Sequence, residues 1–143
     1  MFDQPISSVM DKKKTLTAPP ETTVSEAAEL MANQNVGAVM VVEMDRLIGI
    51  FTERDAVFRV IATGRDARTT RLADVMTKSP QTVNSDKPFG YALLMMVENG
   101  FRHVPVIENG KPVGIVSARN ALDPDLEEFE CEANRRRHIR DLR

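Results

Sequence analysis

A chain of 143 residues with 42% apolar content has material for one compact domain or two half-size ones. A net charge of -2 excludes a general field for nucleic acid or acidic membranes, and a single cysteine, Cys131, excludes an internal disulfide. With 5% aromatic residues and no Trp, packing must rest on Val, Ile, Leu, Ala and eight Met, whose thioethers fill irregular gaps.

Ile6-Ser7-Ser8-Val9-Met10 reads as one helical turn docking Ile6, Val9 and Met10, and Leu72-Ala73-Asp74-Val75-Met76 has the same pattern. Each lead-in is followed by a polar loop and a short extended piece, Thr15-Leu16-Thr17 and then Gln81-Thr82-Val83. Thr23-Val24-Ser25-Glu26 has capping-box spacing and opens a helix through Ala27, Ala28, Leu30 and Met31. Its counterpart begins near Pro88, runs through Leu93, Met95, Met96 and Val97, and stops at Gly100. The apolar runs Ala38 to Val42 and Leu47 to Phe51 predict buried strands around a short charged turn. Val104 to Ile107 and Val113 to Val116 flank Asn109-Gly110, a strong hairpin signal. Pro105 and Pro112 lack N–H donors and are expected at sheet edges or strand starts.

Aligned without a gap, residues 23–57 and 88–122 share nine identities in 35 pairs, with apolar matched to apolar at most other positions. This is an internal duplication. Each unit reads β-α-β-β-α and is too small to bury its own sheet well, so the expected fold is α/β, two repeats packed sheet to sheet with pseudo-twofold symmetry. The expected divisions are 1–67, 68–123 and a charged C-terminal helical tail, 124–143.

Gly49-Ile50-Phe51-Thr52-Glu53-Arg54-Asp55 runs from the apolar end of a strand, through a hydroxyl, into a helix with a carboxylate one turn later. Gly114-Ile115-Val116-Ser117-Ala118-Arg119-Asn120 repeats it position for position. At such a strand-to-helix corner, backbone N–H groups, a hydroxyl and a carboxylate can face one phosphorylated ligand. The same Thr-x-x-Asp spacing serves equally as a helix cap with no ligand at all.

These residues resemble the cystathionine-β-synthase (CBS) domain family, whose tandem pairs form Bateman modules. The resemblance rests on Val9-Met10 and Val75-Met76, on His103 to Ile107, and above all on the two Gly-led heptads, and it covers residues 6–122. It implies a ligand-sensing pair of the kind that binds AMP, ADP, ATP or S-adenosylmethionine between the repeats, often as a disc-shaped homodimer. Carried onto this chain, it puts Asp55 on the ribose and Thr52 near phosphate, with Arg102, His103 and Arg119 approaching from the second repeat. It sets the adenine against Ser79, Pro80, Gln81 and Thr82. A second, weaker cleft uses Thr15, Leu16, Thr17, Ser117 and Asn120: Asn120 lacks the carboxylate charge, and the positions matching Arg102 and His103 are Gly37 and Ala38. If His103 meets phosphate, affinity should weaken as pH rises through the imidazole range.

The tail is acidic from Asp123 to Glu132 and arginine-rich from Asn134 to Arg143, a polarity suited to a helix macrodipole. Leu126, Phe129 and Ala133 could form one apolar stripe, and Glu132 with Arg136 is a favourable i,i+4 pair. Antiparallel pairing of two tails in a dimer is one expectation. RNA contact by Arg135-Arg136-Arg137 is disfavoured because no aromatics are interleaved.

Two His, one Cys and no metal-ligand spacing leave little for catalysis, so neither an enzyme, a catalytic cofactor nor a metal is expected. The expected function is a non-catalytic adenosine-nucleotide sensor acting on an unknown regulated protein. A structural CBS pair without nucleotide and an S-adenosylmethionine or NAD(H) binder are the alternatives. With no long apolar span and no leader-like run, the expected setting is cytoplasmic, away from membranes.

Overall fold

The computed structural model describes residues 2–10, 15–121, 132–133 and 135–140. Helix α1 (Ile6–Val9) and strand β1 (Thr17–Ala18) lead into α2 (Val24–Gln34), β2 (Ala38–Glu43) and β3 (Arg46–Thr52). Helix α3 (Glu53–Asp55) continues as π-helical turns over Ala56–Ile61. The second unit follows as α4 (Leu72–Val75), β4 (Thr77–Lys78), β5 (Val83–Asn84), α5 (Phe89–Asn99), β6 (His103–Glu108), β7 (Lys111–Ser117) and a 3-10 turn, Ala118–Ala121. The tail is helical over the described residues 132–133 and 135–140, where Arg136 Nε donates to Glu132 Oε1 at 3.3 Å. The proposed partners Leu126 and Phe129 lie outside the described residues.

The duplication is visible in local chemistry. Thr23 caps α2 by accepting from Glu26 N–H, and α2 ends on Asn35 at φ 54°, where α5 ends on Gly100 at φ 72°. Both are left-handed C-terminal stops, with Asn filling the role that Gly fills more easily. The β2–β3 and β6–β7 hairpins are antiparallel, and each carries its register shift at the equivalent place, Val41/Val42 and Val106/Ile107. One turn is Asn109-Gly110, as expected; the other is Met44-Asp45, two non-glycine residues held at φ 52° and 63°.

Strand order is β1-β2-β3-β4 in one sheet and β5-β6-β7 in the other, and β3 touches β7 between repeats. The lead-ins are exchanged. Ile6 and Met10 are buried with Phe89, Val104, Val106 and Val116 of the second repeat, while Leu72, Val75 and Met76 are buried with Val39, Val41 and Phe51 of the first. Matched backbone bonds fix the exchange: Ile6 N–H to Lys87 O and Phe89 N–H to Gln4 O on one side, Leu72 N–H to Thr22 O and Val24 N–H to Thr70 O on the other. Each core is closed by the segment that precedes the other repeat. A unit of this size lacks enough of its own apolar surface, and burial of each large side chain brings about 1.5–3 kcal/mol.

The exchange also explains the glycine of both heptads. A side chain on Gly49 would overlap the thioether of Met76, and one on Gly114 would stand 3.0 Å from Met10 Sδ. The methionine ending each lead-in therefore lies over the glycine of the other repeat's corner.

Pro105 corrects one expectation. It is buried in β6, the central strand of its sheet. Its counterpart Met40 donates its N–H to Leu16 O on the β1 side. The ladder between β5 and β6 starts only at Val83 and Val106, one residue past Pro105, so the missing donor falls where the partner strand has not yet begun. Pro112 lies near the start of the edge strand β7, where a proline is expected.

Candidate functional site

At the first corner Thr52 is extended (φ -123°, ψ 168°) and α3 starts immediately after it. Thr52 N–H donates to Asp55 Oδ2 at 2.9 Å, Thr52 Oγ1 lies 3.2 Å from the same oxygen, and Asp55 N–H points to Thr52 Oγ1 at 3.4 Å. This reciprocal box is the helix cap that the spacing allowed. Asp55 is only 7% exposed, and its other oxygen, Oδ1, sits 3.5 Å from Arg59 Nε. Oδ2 is committed to the cap, so any ligand diol must use the remaining lone pairs of Oδ1.

The second corner copies the first. Ser117 N–H donates to Asn120 Oδ1 at 2.8 Å, with Ser117 Oγ 3.3 Å away. Glu53 N–H donates to Gly37 O and Ala118 N–H to Arg102 O, which seats each corner on the start of its hairpin. An amide oxygen thus accepts the Ser117 N–H as the carboxylate accepts that of Thr52, while the second corner continues as a 3-10 turn and carries no carboxylate charge.

His103 opens β6 opposite Ser117 yet reaches the first repeat: Cβ substitution at Gly37 would overlap Glu53 Oε1 and lie 3.3 Å from His103 Nε2. Burial pushes the His103 pKa below its ordinary value; Glu53 acts in the opposite sense and Arg102 adds to the lowering. His103 of the second repeat therefore stands beside Gly37 and Glu53 of the first. Its neighbour Glu53, an anion, was not singled out, although it lies inside the heptad. Arg102 and Arg119 are exposed.

Thr17 pairs with Met40 in parallel and Leu16 O accepts from Met40 N–H, so Thr15 falls level with Ala38, the residue opposite Thr52. Leu16 is itself buried in the first core. The β5–β6 ladder begins at Val83 opposite Val106, so Pro80 to Thr82 precede it. Ser79, at φ 48°, donates its N–H to Ile48 O, away from Thr52 along β3, and Gln81 bonds the side chain of Asn99. Thr82 is half-buried. Thr15 Oγ1 lies 3.4 Å from where a Cβ on Gly114 would stand, beside the second heptad, whereas Ser79 bonds to Ile48 next to Gly49 of the first. Thr17 also lines an open groove of about 440 Å³ between β1 and α2, with Thr22, Glu26, Glu29 and Asn33.

Among the described residues no three His, Cys, Asp or Glu side chains are grouped to hold a metal, and no helix is long and apolar enough to cross a membrane.

Comparison with known proteins agrees with this architecture. The CBS domain profile matches residues 6–62 and 72–125. The meiotically up-regulated gene 70 protein of Schizosaccharomyces pombe is 43% identical over 122 residues, covering 78% of this chain and 17% of its own length. The chain spans about a fifth of several such curated relatives. An uncharacterized conserved protein from Pyrococcus horikoshii superposes with a TM-score of 0.79 at 34% identity, covering 85% of this chain and 92% of that one. The CBS domain protein PAE2072 of Pyrobaculum aerophilum, solved in complex with AMP, superposes at 0.77 with 25% identity over 90% and 99% of the two chains. With two matched units and the folds superposed, the chain belongs to the CBS domain family and is a pair of CBS domains.

Proposed function

We propose that this chain is a non-catalytic sensor that binds an adenosine nucleotide of the AMP, ADP or ATP class at the Asp55 corner and passes occupancy to a partner protein through the packing of its repeats. The observation that carries the reading is the approach of His103 of the other repeat to Gly37 and Glu53, next to the Thr52–Asp55 cap. In it Asp55 Oδ1 takes the ribose diol, and the phosphate lies toward His103, with Arg102 and Arg119 as further cations. Ser79 to Thr82 are the base-side edge of this site, and Thr15 to Thr17 with Ser117 and Asn120 make a weaker second one, in keeping with Thr15 Oγ1 lying 3.4 Å from where a Cβ on Gly114 would stand. The AMP complex of the Pyrobaculum relative supports this ligand class.

Exposed apolar side chains on two helical segments, Val57, Phe58 and Ile61 with Tyr91, Leu94 and Val97, support a homodimer as the working unit. Neither a membrane nor nucleic acid is required by this reading, and a cytoplasmic setting suits it.

Glu53 favours a second reading. Its carboxylate beside His103 and Gly37 opposes phosphate, whereas the sulfonium and ammonium of S-adenosylmethionine would be attracted to it. Thermal unfolding against AMP, ADP, ATP, NADH and S-adenosylmethionine separates the two. A ligand at a hundred times its Kd stabilises the folded state by about 2.7 kcal/mol. A shift with AMP, ADP or ATP supports the sensor; a shift only with S-adenosylmethionine supports the second reading; no shift contradicts both and leaves an interaction module.

A further inference from the structure

Arg59 bridges the Asp55 carboxylate and the lead-in of the other repeat. Its Nε lies 3.5 Å from Asp55 Oδ1, and its Nη1 donates to Val75 O at 3.2 Å and Met76 O at 3.0 Å. Those carbonyls close α4, where helical C=O groups lack intrahelical donors. Val75 and Met76 are buried in the first core, and Met76 lies over Gly49 of the corner strand. A guanidinium is a rigid planar fork, so one end cannot turn without moving the other. The Arg59 side chain is about half exposed (49%), so the pair's value is geometric rather than a large Coulomb contribution.

The backbone carrying Arg59 is irregular in the same place. Residues Ala56–Ile61 wind as π-turns, with Ala62 N–H donating to Val57 O and Arg65 N–H to Val60 O. Such turns are rare and favour functional positions. In the gapless alignment of the repeats the residue matching Arg59 is Pro124, which has no side-chain donor.

We propose that Arg59 is a positioning residue that orients the Asp55 carboxylate and couples its occupancy to α4, making the first corner the regulatory one. This rests on the nucleotide reading above. A ligand diol at Oδ1 competes with or tightens the Arg59 contact, and either change is felt at the carbonyls of Val75 and Met76.

Residue-resolved amide exchange of the full chain, with and without saturating AMP, tests it in wild type and Arg59→Met. In wild type AMP should slow exchange at Thr52 and Asp55 and, by about fivefold or more, at Ala73 in α4 and at Met76, its C-terminal cap. In Arg59→Met protection at Thr52 and Asp55 should persist while that at Ala73 and Met76 is lost. A merely structural Arg59 would change exchange in the free protein but not the AMP-induced protection of α4. Should Arg59→Met fail to fold, Arg59→Lys decides, because an ammonium keeps the charge near Asp55 but cannot span both carbonyls. Equal AMP protection of α4 in wild type and variant overturns the coupling. Absence of protection anywhere in wild type overturns the nucleotide reading and the coupling with it.

Discussion

Asp55 and Asn120 make the same bond at equivalent corners, Oδ2 of one accepting Thr52 N–H at 2.9 Å and Oδ1 of the other accepting Ser117 N–H at 2.8 Å. Capping therefore needs only a side-chain oxygen. Asp55→Asn should keep the cap and change the unfolding midpoint little, whereas Asp55→Ala should lose about 1–2 kcal/mol, or roughly 2–4 °C per kcal/mol at this chain length. Equal losses in thermal melts would mean that the charge, through Arg59, is the main structural contribution.

Gly49 and Met76 provide a test of the exchanged lead-ins. Gly49→Ala should destabilise by about 1–3 kcal/mol, because the new Cβ meets Met76 inside a packed core. Gly114→Ala should be milder, since the tip of a flexible Met10 is the neighbour at 3.0 Å. Denaturant melts should also show Gly49→Ala partly rescued by Met76→Ala. Additive losses in that double variant would contradict the contact.

Much of this was legible in the residues. Local signals carried the repeat, the Thr23 cap, the Asn109-Gly110 turn and the Gly100 stop, since each depends on neighbours within a few positions. The exchange was not legible: an apolar turn such as Ile6 to Met10 states that it must be buried but not against which core. The Arg59 bridge needed the tertiary position of α4, although its i,i+4 spacing from Asp55 was a local hint. Pro105 was misplaced because a strand's hydrogen-bonding partner, not its composition, decides whether a missing N–H matters.

His103 gives a pH signature. Its folded pKa is lowered, chiefly by burial, so the folded state favours the neutral ring. Its contribution to stability is full above the ordinary imidazole pKa and is lost as pH falls through the lower folded value. Melting of the ligand-free protein should therefore decline between about pH 7 and pH 5, and His103→Phe should flatten that part of the profile. Binding of a phosphate should draw a proton onto the ring, so wild-type affinity should weaken from about pH 6 to pH 8. An unchanged pH profile in His103→Phe would remove the imidazole from both roles.

The central claim is that a nucleotide is held by the charge at the Asp55 corner. Titration calorimetry of AMP, ADP and ATP into wild type, Asp55→Asn and Asn120→Ala tests it most directly. The account predicts binding to wild type, a loss of about tenfold or more in Asp55→Asn, whose cap is intact, and little change in Asn120→Ala. Equal losses in the two variants, or undiminished binding by Asp55→Asn, would contradict it.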